Sequence, residues 1–515
     1  MTINLPSFAV LDFGSQTAQL ICRRLRELKV HANMFPASVT AQELAKNPLK
    51  GIVLSGGPSS VYSEGAPHVD PTIFEMGIPI LGICYGLQIT VKTLGGEVVS
   101  ANEAEYGSAT LNVTKESSLL KNVNSSSTVW MSHGDRLERL PQGFETLGST
   151  NNCPHTICAD VKRKIYGVQF HPEVTHTQGG QELLKNFALD ICEGTEDWTM
   201  SSFVDVTCEE IREKVGSSKV ICGLSGGVDS SVLAALLHKA IGDQLTCVFV
   251  DHGLLRLNER NKVEDNFADG FGINLISVDA TDIFMKELKG ISDPEKKRKI
   301  IGRLFIETFQ QEADKIKNVS FLAQGTIYSD VIESAGTSGK LASAIKSHHN
   351  VGGLPEKLGF KLVEPLRGLF KDEVRNLGRE LGLSSTLVDR HPFPGPGLAV
   401  RIPGTIDAEA AQTLREADHI FIEELRNSGW YAKTFQAFAV LLPVRSTGVM
   451  GDARTYEKVC ALRCVTSEDV MTADWAPLPH ELLAKVSNRI INEVKGINRV
   501  VYDISSKPPS TIEWE

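Results

Sequence analysis

The sequence lacks the features that mark several large classes of protein. No stretch approaches the roughly 18 unbroken apolar residues that a membrane-spanning helix requires. Its start, MTINLPSFAVLDFG, has no basic segment ahead of an apolar core, so no signal peptide is indicated. The ten cysteines include no C-x-x-C pair, and neither a zinc site nor a disulfide framework is indicated. We therefore expect a cytoplasmic protein whose thiols are mostly reduced core residues.

Charge and composition exclude further classes. The chain has 53 Lys+Arg against 63 Asp+Glu and a net charge of −10, which argues against a protein that coats nucleic acid or a membrane surface. A charged fraction of 23% and 22 prolines exclude a disordered chain. At about 150 residues per domain, the 515 residues predict about three domains, each with its own core.

The order of apolar runs predicts the fold class and the domain boundaries. Strand-like runs alternate with helical patterns up to a polar stretch near residue 197, and a second alternating series begins at Lys219. Such alternation is typical of α/β domains with a doubly wound parallel sheet. The proline- and glycine-rich segment DRHPFPGPGLAVRIPG then leads to a smaller α+β unit. We expect three domains, at residues 1–197, 198–390 and 391–515.

A candidate nucleophile lies in the first domain. Cys84 is the centre of GICYG, which follows the strand-like IPIL and precedes the helical LQITVKTLGG. This is the layout of a nucleophile elbow, in which small neighbours permit a strained turn at a helix N-terminus. The helix dipole and nearby amides would favour a thiolate and later an oxyanion. Taken alone, Cys84 is more often a buried structural thiol.

Candidate partners of this thiol occur elsewhere in the same domain. YGVQFHPEV supplies His171, an imidazole that can activate a thiol, and Glu173, a carboxylate that can orient the imidazole. The alternative for His171 is a surface histidine before a proline turn. A second glycine loop, LSGGPSSVY, can present bare backbone amides to an oxyanion.

Four motifs in order, SGGPSSV, GICYGLQ, MSHGD and QFHPEV, resemble the class I glutamine amidotransferase family over about residues 6 to 195. The resemblance implies that Cys84 attacks the side-chain amide of glutamine and that His171 acts as general base and acid. It implies further that Glu173 orients His171, and that the amides of Gly57 and Tyr85 form the oxyanion hole. The products would be ammonia and glutamate.

A phosphate-binding loop is predicted in the second domain. LSGGVDSS lies between the strand-like KVICG and the helical SVLAALLHKA, and it matches neither the Walker A pattern nor G-x-G-x-x-G. Glycines allow close approach, while hydroxyls and helix N-terminal amides can hold phosphate oxygens. A glycine-serine turn without a ligand is the alternative. The candidate ATP-binding residues are Ser225, Gly226, Gly227, Val228, Asp229, Ser230 and Ser231.

The loop resembles the pyrophosphate-binding loop of the ATP pyrophosphatases, which adenylylate a substrate oxygen. That resemblance implies Mg²⁺ held by Asp229, since carboxylates suit this cation. The loop itself does not identify the acceptor. Asparagine synthetase would need cysteine at position 2, where this chain has Thr2. Glutamine-dependent NAD synthetase carries a different amidase, and CTP synthase a different ATP loop.

The remaining combination resembles the GMP synthetase family, on VDHGLLR, LAQGTIYSDVIES, DRHPFPGPGLAVRI and KPPSTIEWE. The resemblance implies that ATP adenylylates the C2 oxygen of XMP and that ammonia displaces AMP to give GMP. It makes XMP, ATP and glutamine the substrates, with no nucleic acid or membrane partner. It implies that the first two domains are the amidotransferase and the ATP pyrophosphatase, and that the third mediates a homodimer and lends its tail to the nucleotide pocket.

By the same resemblance, a set of polar residues holds XMP: Arg298, Asp389, Gln436, Lys507 and Glu513. Lys371 and Asp372 would neighbour the phosphates and Mg²⁺, and we interpret His348 and His349 as part of a loop over the active site. Without the resemblance, each charge would be a solvated surface residue. Two other functions stay open, a glutamine-dependent adenylylating synthetase with another acceptor and a catalytically silent nucleotide-binding regulator.

Overall fold

The computed structural model describes residues 7–15, 17–335, 359–450, 453–467 and 472–515. His348 and His349 therefore lie outside the described residues. Contacts divide the chain into two compact units, Met1–Val206 and Thr207–Glu515. The division into three domains after residues 197 and 390 stays a prediction.

The first unit is built on a nine-stranded mixed sheet, with strand order β2-β1-β3-β4-β9-β8-β7-β5-β6. The strands are β1 (Ser7–Asp12), β2 (His31–Pro36), β3 (Leu49–Leu54), β4 (Ile80–Ile83), β5 (Glu97–Val113), β6 (Ser126–Arg139), β7 (Glu145–Ser149), β8 (Ile157–Asp160) and β9 (Ile165–Val168). The helices are α1 (Ala18–Glu27), α2 (Ala41–Leu44), α3 (Tyr85–Thr93), α4 (Gly180–Lys185) and α5 (Met200–Val215), the last of which crosses the boundary between the units.

Only one half of this sheet is parallel. Strands β2, β1, β3, β4 and β9 pair in parallel. The apolar runs of β1, β3, β4 and β9 are buried on both faces, as a strand covered by helices must be, whereas the edge strand β2 is only partly buried. The other pairs, from β9 through β8, β7 and β5 to β6, are antiparallel. The α/β class is confirmed, and the antiparallel half is an addition that the alternation of strands and helices did not reveal.

The second unit begins with a five-stranded sheet that is parallel throughout, in the order β12-β11-β10-β13-β14. Because the strand order reverses beside β10, the carboxyl end of β10 is the position at which α/β sheets bind ligands. The strands are β10 (Lys219–Gly223), β11 (Leu245–Asp251), β12 (Asn274–Asp279), β13 (Val319–Ala323) and β14 (Lys361–Val363). The helices are α6 (Val228–Ile241), α7 (Glu259–Glu264), α8 (Thr281–Leu288), α9 (Pro294–Lys315), α10 (Tyr328–Ala335), α11 (Lys371–Glu380) and α12 (Ser385–Val388).

A third sheet completes the second unit and confirms the α+β class of the C-terminal part. Its long strands β15 and β16 are antiparallel, whereas β18 joins β16 in parallel. One hydrophobic core contains Ile221 and Val248 of the parallel sheet together with Leu441 and Cys460 of this one. The elements are α13 (Ala408–Asn427), β15 (Gln436–Met450), β16 (Ala453–Thr466), β17 (Asp474–Trp475), α14 (His480–Glu493) and β18 (Ile497–Asp503).

All ten cysteines lie in the described residues, and each is a buried free thiol. Burial raises the pKa of Cys153 to about 11 and that of Cys460 to about 12, because a thiolate loses its hydration in an apolar surrounding. Within the described ranges, no helix combines the length and the apolar character needed to cross a membrane.

Candidate active sites

Cys84 occupies a strained turn between a strand and a helix. β4 ends at Ile83, α3 begins at Tyr85, and Cys84 between them has φ 52° and ψ −107°. A side chain at positive φ is strained by about 1–3 kcal/mol, so the surroundings must hold the turn in place. A Cβ on Gly86 would lie 2.1 Å from the carbonyl oxygen of Leu54. The turn has the geometry of a nucleophile elbow, and glycine is required beside it.

His171 and Glu173 form a buried hydrogen-bonded pair beside this turn. Nδ1 of His171 lies 2.8 Å from Oε1 of Glu173, and Glu173 has no exposed surface. The hydroxyl of Thr17 donates to the same oxygen at 2.7 Å, which fixes the carboxylate. Burial alone would lower the pKa of His171, but interactions with Cys84 and Glu173 outweigh burial and raise it to about 10. The imidazole is therefore oriented on one side and engaged with the thiol.

The second glycine loop lies against the same turn. A Cβ on Gly56 would lie 2.9 Å from Cε1 of His171. A Cβ on Gly57 would lie 2.8 Å from the carbonyl oxygen of Phe13 and 3.3 Å from Cγ of Tyr85. Only glycine fits at these two positions, and the bare backbone of the loop faces the turn. The structure thus brings Gly57 and Tyr85 together with the Cys84, His171 and Glu173 set.

Two contacts of Cys84 were not predicted from the sequence. Its sulfur lies 3.5 Å from the carbonyl oxygen of Ser132, and Nε2 of Gln169 lies 3.8 Å from the same sulfur. Both residues belong to motifs that carried the resemblance, MSHGD and QFHPEV, but nothing in those motifs separates them from their neighbours. The contacts hold the thiol in one orientation beside His171.

The glycine-serine loop of the second unit lies at the carboxyl end of β10 and begins α6. Gly226 has φ 72°, which favours glycine, and the hydroxyls of Ser225 and Ser230 are 2.9 Å apart. The Ser230 hydroxyl also donates to the carbonyl oxygen of Gly227 at 3.1 Å. The loop is therefore cross-linked by its own side chains, and it precedes a helix of 14 residues whose N-terminal amides suit an anion.

Asp229 in the first turn of α6 pairs with Lys371, the first residue of α11. Both carboxylate oxygens lie 2.6 Å from Nζ of Lys371, and the two side chains are 30% and 44% exposed. Asp372 is exposed at the next position of α11. A partly exposed carboxylate beside this glycine-serine loop fits Mg²⁺, which prefers oxygen ligands.

Three of the five residues predicted to hold XMP lie in or contact the C-terminal segment, which is defined here as residues 513–515. Oε1 of Glu513 accepts a hydrogen bond from Nε2 of Gln436 at 2.6 Å, and Arg298 donates to the backbone oxygen of Glu515. The other two lie in different surroundings. Asp389 accepts from Arg379 at 2.5 Å, and Lys507 pairs with Ala473 through backbone hydrogen bonds of 2.7 and 3.0 Å.

Two fully buried cations beside this segment were missed from the sequence. Arg401 donates to both carboxylate oxygens of Glu513, at 2.9 and 3.1 Å. Nζ of Lys297 donates to the carbonyl oxygen of Ile402 at 2.8 Å and to Oε2 of Glu515 at 2.5 Å. Because a buried charge is stable only when it is paired, each cation fixes a carboxylate of the last three residues.

Models of known families match three successive parts of the chain. The model of the glutamine amidotransferase class-I family matches residues 9–191, that of NAD synthase matches residues 200–302, and that of the GMP synthase C terminal domain matches residues 423–514. A solved structure of a putative GMP synthase component from Thermoplasma acidophilum is 34% identical, covering 37% of this chain and 94% of that one, with a TM-score of 0.34.

Full-length relatives carry the comparison further. The glutamine-hydrolyzing GMP synthase of Nitrosomonas eutropha is 58% identical over 514 residues, which is 98% of this chain and 99% of the relative. That of Neisseria meningitidis serogroup B is 58% identical over 517 residues with the same coverage, and that of Aquifex aeolicus is 56% identical over 506 residues, again covering 98% of this chain and 99% of the relative.

A buried Cys-His-Glu set in the part that matches the amidotransferase family is followed on the same chain by a glycine-serine loop at the switch point of a parallel sheet. With the matched family models, this defines the class: a glutamine-dependent, ATP-utilising ligase. The match over the whole chain then settles the family within this class. The chain belongs to the glutamine-hydrolysing GMP synthase family.

Proposed function

We propose that the chain converts XMP to GMP through two linked reactions. The first hydrolyses glutamine to glutamate and ammonia. In the second, ATP and XMP form adenylyl-XMP and pyrophosphate, and ammonia then displaces AMP to give GMP. The observation that carries the proposal is the match along the whole chain to glutamine-hydrolyzing GMP synthases.

The arrangement around Cys84 supports the first reaction. The thiolate attacks the side-chain amide carbon of glutamine, and the His171 imidazolium gives its proton to the departing ammonia. The resulting thioester is hydrolysed by water, which His171 then deprotonates as a general base. Glu173 keeps the imidazole oriented through both steps, and the amides of Gly57 and Tyr85 bind the oxyanion.

The loop at residues 225–231 supports the second reaction. Its amides and hydroxyls bind the phosphates that leave as pyrophosphate, with the N-terminus of α6 favouring their negative charge. Asp229 would hold Mg²⁺, with Asp372 as a neighbour. When bound, the cation screens the charge of the leaving group. When ATP binds, Lys371 leaves the carboxylate of Asp229 and pairs with a phosphate oxygen, because its ammonium group can pair with either anion.

The residues around the C-terminal segment support the choice of acceptor. Arg298 and Lys507 provide the positive charge that a nucleotide phosphate requires. Gln436 and Glu513 present an amide and a carboxylate, which suit the hydrogen-bonding edges of a base or ribose, and Asp389 adds a second carboxylate. The bidentate contact of Arg401 holds Glu513 in place.

We further propose three domains, an amidotransferase at residues 1–197, an ATP pyrophosphatase at 198–390 and a dimerisation domain at 391–515. The hairpin of β15 and β16 supports a homodimer, because Val444, Val449 and Tyr456 expose 58%, 74% and 62% of their surface. Ten free thiols support a cytoplasmic location. Light scattering of the purified chain measures the assembly, and a monomer at micromolar concentration would contradict the homodimer.

The reaction is tested with the purified chain, Mg²⁺, ATP, glutamine and a panel of acceptors that includes XMP, aspartate and deamido-NAD. We expect GMP, AMP, pyrophosphate and glutamate in equal amounts with XMP. Product with another acceptor alone would favour a different adenylylating synthetase. Binding of ATP and XMP without turnover would favour a regulator.

A further inference from the structure

Arg390 connects the phosphate-binding loop to a distant segment of the second unit. It follows Asp389 directly and precedes the proline-rich HPFPGPG. Its Nη1 donates to the carbonyl oxygen of Gly226, and its Nη2 lies 2.6 Å from Oε1 of Glu259. The side chains of Arg390 and Glu259 are only 15% and 6% exposed. The guanidinium of Arg390 thus bridges the loop and a buried carboxylate.

Glu259 is fixed and charged. Its second oxygen accepts from the backbone amide of Arg256 at 3.0 Å. Burial would raise the pKa of Glu259, but Arg390 and the amide of Arg256 outweigh burial and lower it. A charged, buried carboxylate with both oxygens engaged leaves Arg390 little freedom of position.

The contact with Gly226 sets the direction of a loop amide. In a trans peptide the carbonyl of Gly226 and the N–H of Gly227 point in opposite directions. Since Arg390 holds the carbonyl on the side of buried Glu259, the N–H points the other way and donates to Oγ of Ser225 at 3.3 Å. Val263 lies on the Arg390 side of Gly226, since a Cβ added to Gly226 would lie 3.1 Å from Cγ2 of Val263 and 3.6 Å from Nη1 of Arg390. The peptide is therefore held in one orientation.

The segment around Arg390 is tied on both sides. Asp389 accepts from Arg379 at 2.5 Å, and the amide of His391 donates to the hydroxyl of Tyr431 at 2.8 Å. The backbone oxygen of Arg390 itself accepts from Arg375 at 3.5 Å. A displacement of the Asp389 backbone is thus transmitted to the loop through one side chain.

We propose that Arg390 is a positioning residue for ATP: it presets the amide of Gly227 for a phosphate oxygen and links the ATP loop to Asp389, a predicted XMP contact. The inference rests on the proposed function, because it assigns the loop at residues 225–231 to ATP. Preorganised donors bind an anion more tightly because they lose less freedom on binding.

The test compares Arg390→Met, Arg390→Lys and Arg390→Ala with the wild type. A matched control is Arg260→Met, since Arg260 also makes ion pairs, at 3.0 Å to Glu264 and 3.2 Å to Asp279, but its side chain is 35% exposed against 15% for Arg390. GMP synthesis is measured with ammonium salt in place of glutamine, at varied Mg²⁺·ATP and varied XMP.

For Arg390→Met we expect the KM for Mg²⁺·ATP to rise about tenfold or more, equivalent to ~1.4 kcal/mol. The glutaminase rate and the thermal midpoint of the first unit should stay unchanged. The KM of Arg390→Lys for Mg²⁺·ATP should lie between those of the wild type and Arg390→Met, because an ammonium group cannot bind the carbonyl and the carboxylate at once as a guanidinium does. Guanidinium at low millimolar concentration should partly restore Arg390→Ala, and Arg260→Met should behave as wild type.

A KM for Mg²⁺·ATP within twofold of wild type in Arg390→Met would overturn the inference. So would a fall in kcat alone, in step with the folded fraction and without rescue by guanidinium, since that result indicates a purely structural role. If the wild type makes no GMP, the proposed function fails, and calorimetric binding of Mg²⁺·ATP to wild type and Arg390→Met still decides the role of Arg390.

Discussion

Neutralising Glu173 tests the buried pair that supports the glutaminase. In Glu173→Gln, the side-chain oxygen can still accept hydrogen bonds from Nδ1 of His171 and from the hydroxyl of Thr17. In the wild type these two atoms lie 2.8 and 2.7 Å from Oε1 of Glu173. Shape and hydrogen bonds are retained, whereas the negative charge is lost. The experiment therefore isolates the electrostatic role of the carboxylate from its role in orientation.

The magnitude follows from the pKa of His171. It is raised from its usual 6.5 to about 10. Because a displacement of one pH unit is worth 1.36 kcal/mol, the imidazolium gains on the order of 5 kcal/mol from its partners, net of burial. Cys84 and Glu173 share this gain, so loss of one charge removes on the order of 2 kcal/mol. We expect kcat/KM for glutamine hydrolysis to fall roughly 30-fold.

The assay follows glutamate release and ammonium-supported GMP synthesis in the same preparation. Only the first should change, because Glu173 belongs to the first unit. Glu138→Gln, at a carboxylate that is 51% exposed, is the matched control and should leave both rates unchanged. A fall of less than threefold in glutamine hydrolysis would refute the electrostatic argument, and an equal loss of both rates would refute the separation of the two reactions.

The same pKa gives a pH dependence of stability. A group whose pKa is raised by folding stabilises the folded state fully below its unfolded pKa and loses that effect as the pH passes its folded pKa. The wild type should therefore lose unfolding free energy between pH 6.5 and about 10. Denaturant titrations across this range should show a smaller loss of unfolding free energy in Glu173→Gln. An equal loss in both proteins would contradict the contribution of Glu173 to the raised pKa of His171, and a gain in the wild type would contradict the sign.

Three further predictions concern the separate parts of the enzyme. Cys84→Ala should abolish glutamine-supported synthesis and spare ammonium-supported synthesis, and loss of both would contradict the two-site scheme. Asp229→Asn should lower both at least 100-fold because the carboxylate for Mg²⁺ is gone, so normal ammonium-supported turnover would refute its role. Deleting Lys507–Glu515 should raise the KM for XMP and, by removing the carboxylate partner of buried Lys297 and the bidentate partner of buried Arg401, destabilise the second unit by ~3–5 kcal/mol. An unchanged KM and melting temperature would show a dispensable tail.

Local patterns predicted separate parts of the first site because each of these parts is a short stretch of sequence. G-x-C-x-G is contiguous, and the sterics that require glycine at Gly86 follow from the turn itself. His171 and Glu173 are two residues apart and pair directly. The antiparallel strands were missed because exposed and less exposed positions alternate in β5 from Ala104 to Asn112 without a matching alternation of polar and apolar residues, since Glu105 is buried and Tyr106 is exposed.

Long-range partners were not predictable. Arg390 and Gly226 are 164 residues apart, and Arg401 and Glu513 are 112 apart. A lone arginine in a proline-rich segment is usually solvated, and only tertiary packing decides that Arg401 has no exposed surface. The hydrophobic periodicity of the sequence does not indicate that Arg390 and Arg401 are buried, because neither residue lies on an amphipathic element whose pattern would place it inside.

The burial of the thiols has a practical consequence for the study of this enzyme. Burial keeps Cys153, Cys460 and Cys464 protonated at neutral pH, with pKa values of about 11, 12 and 12, and a protonated thiol reacts slowly with electrophiles. Cys84, by contrast, lies beside the imidazolium of His171. An electrophilic glutamine analogue should therefore modify one sulfur per folded chain, so that the mass increment of the intact protein counts the competent catalytic centres in a preparation.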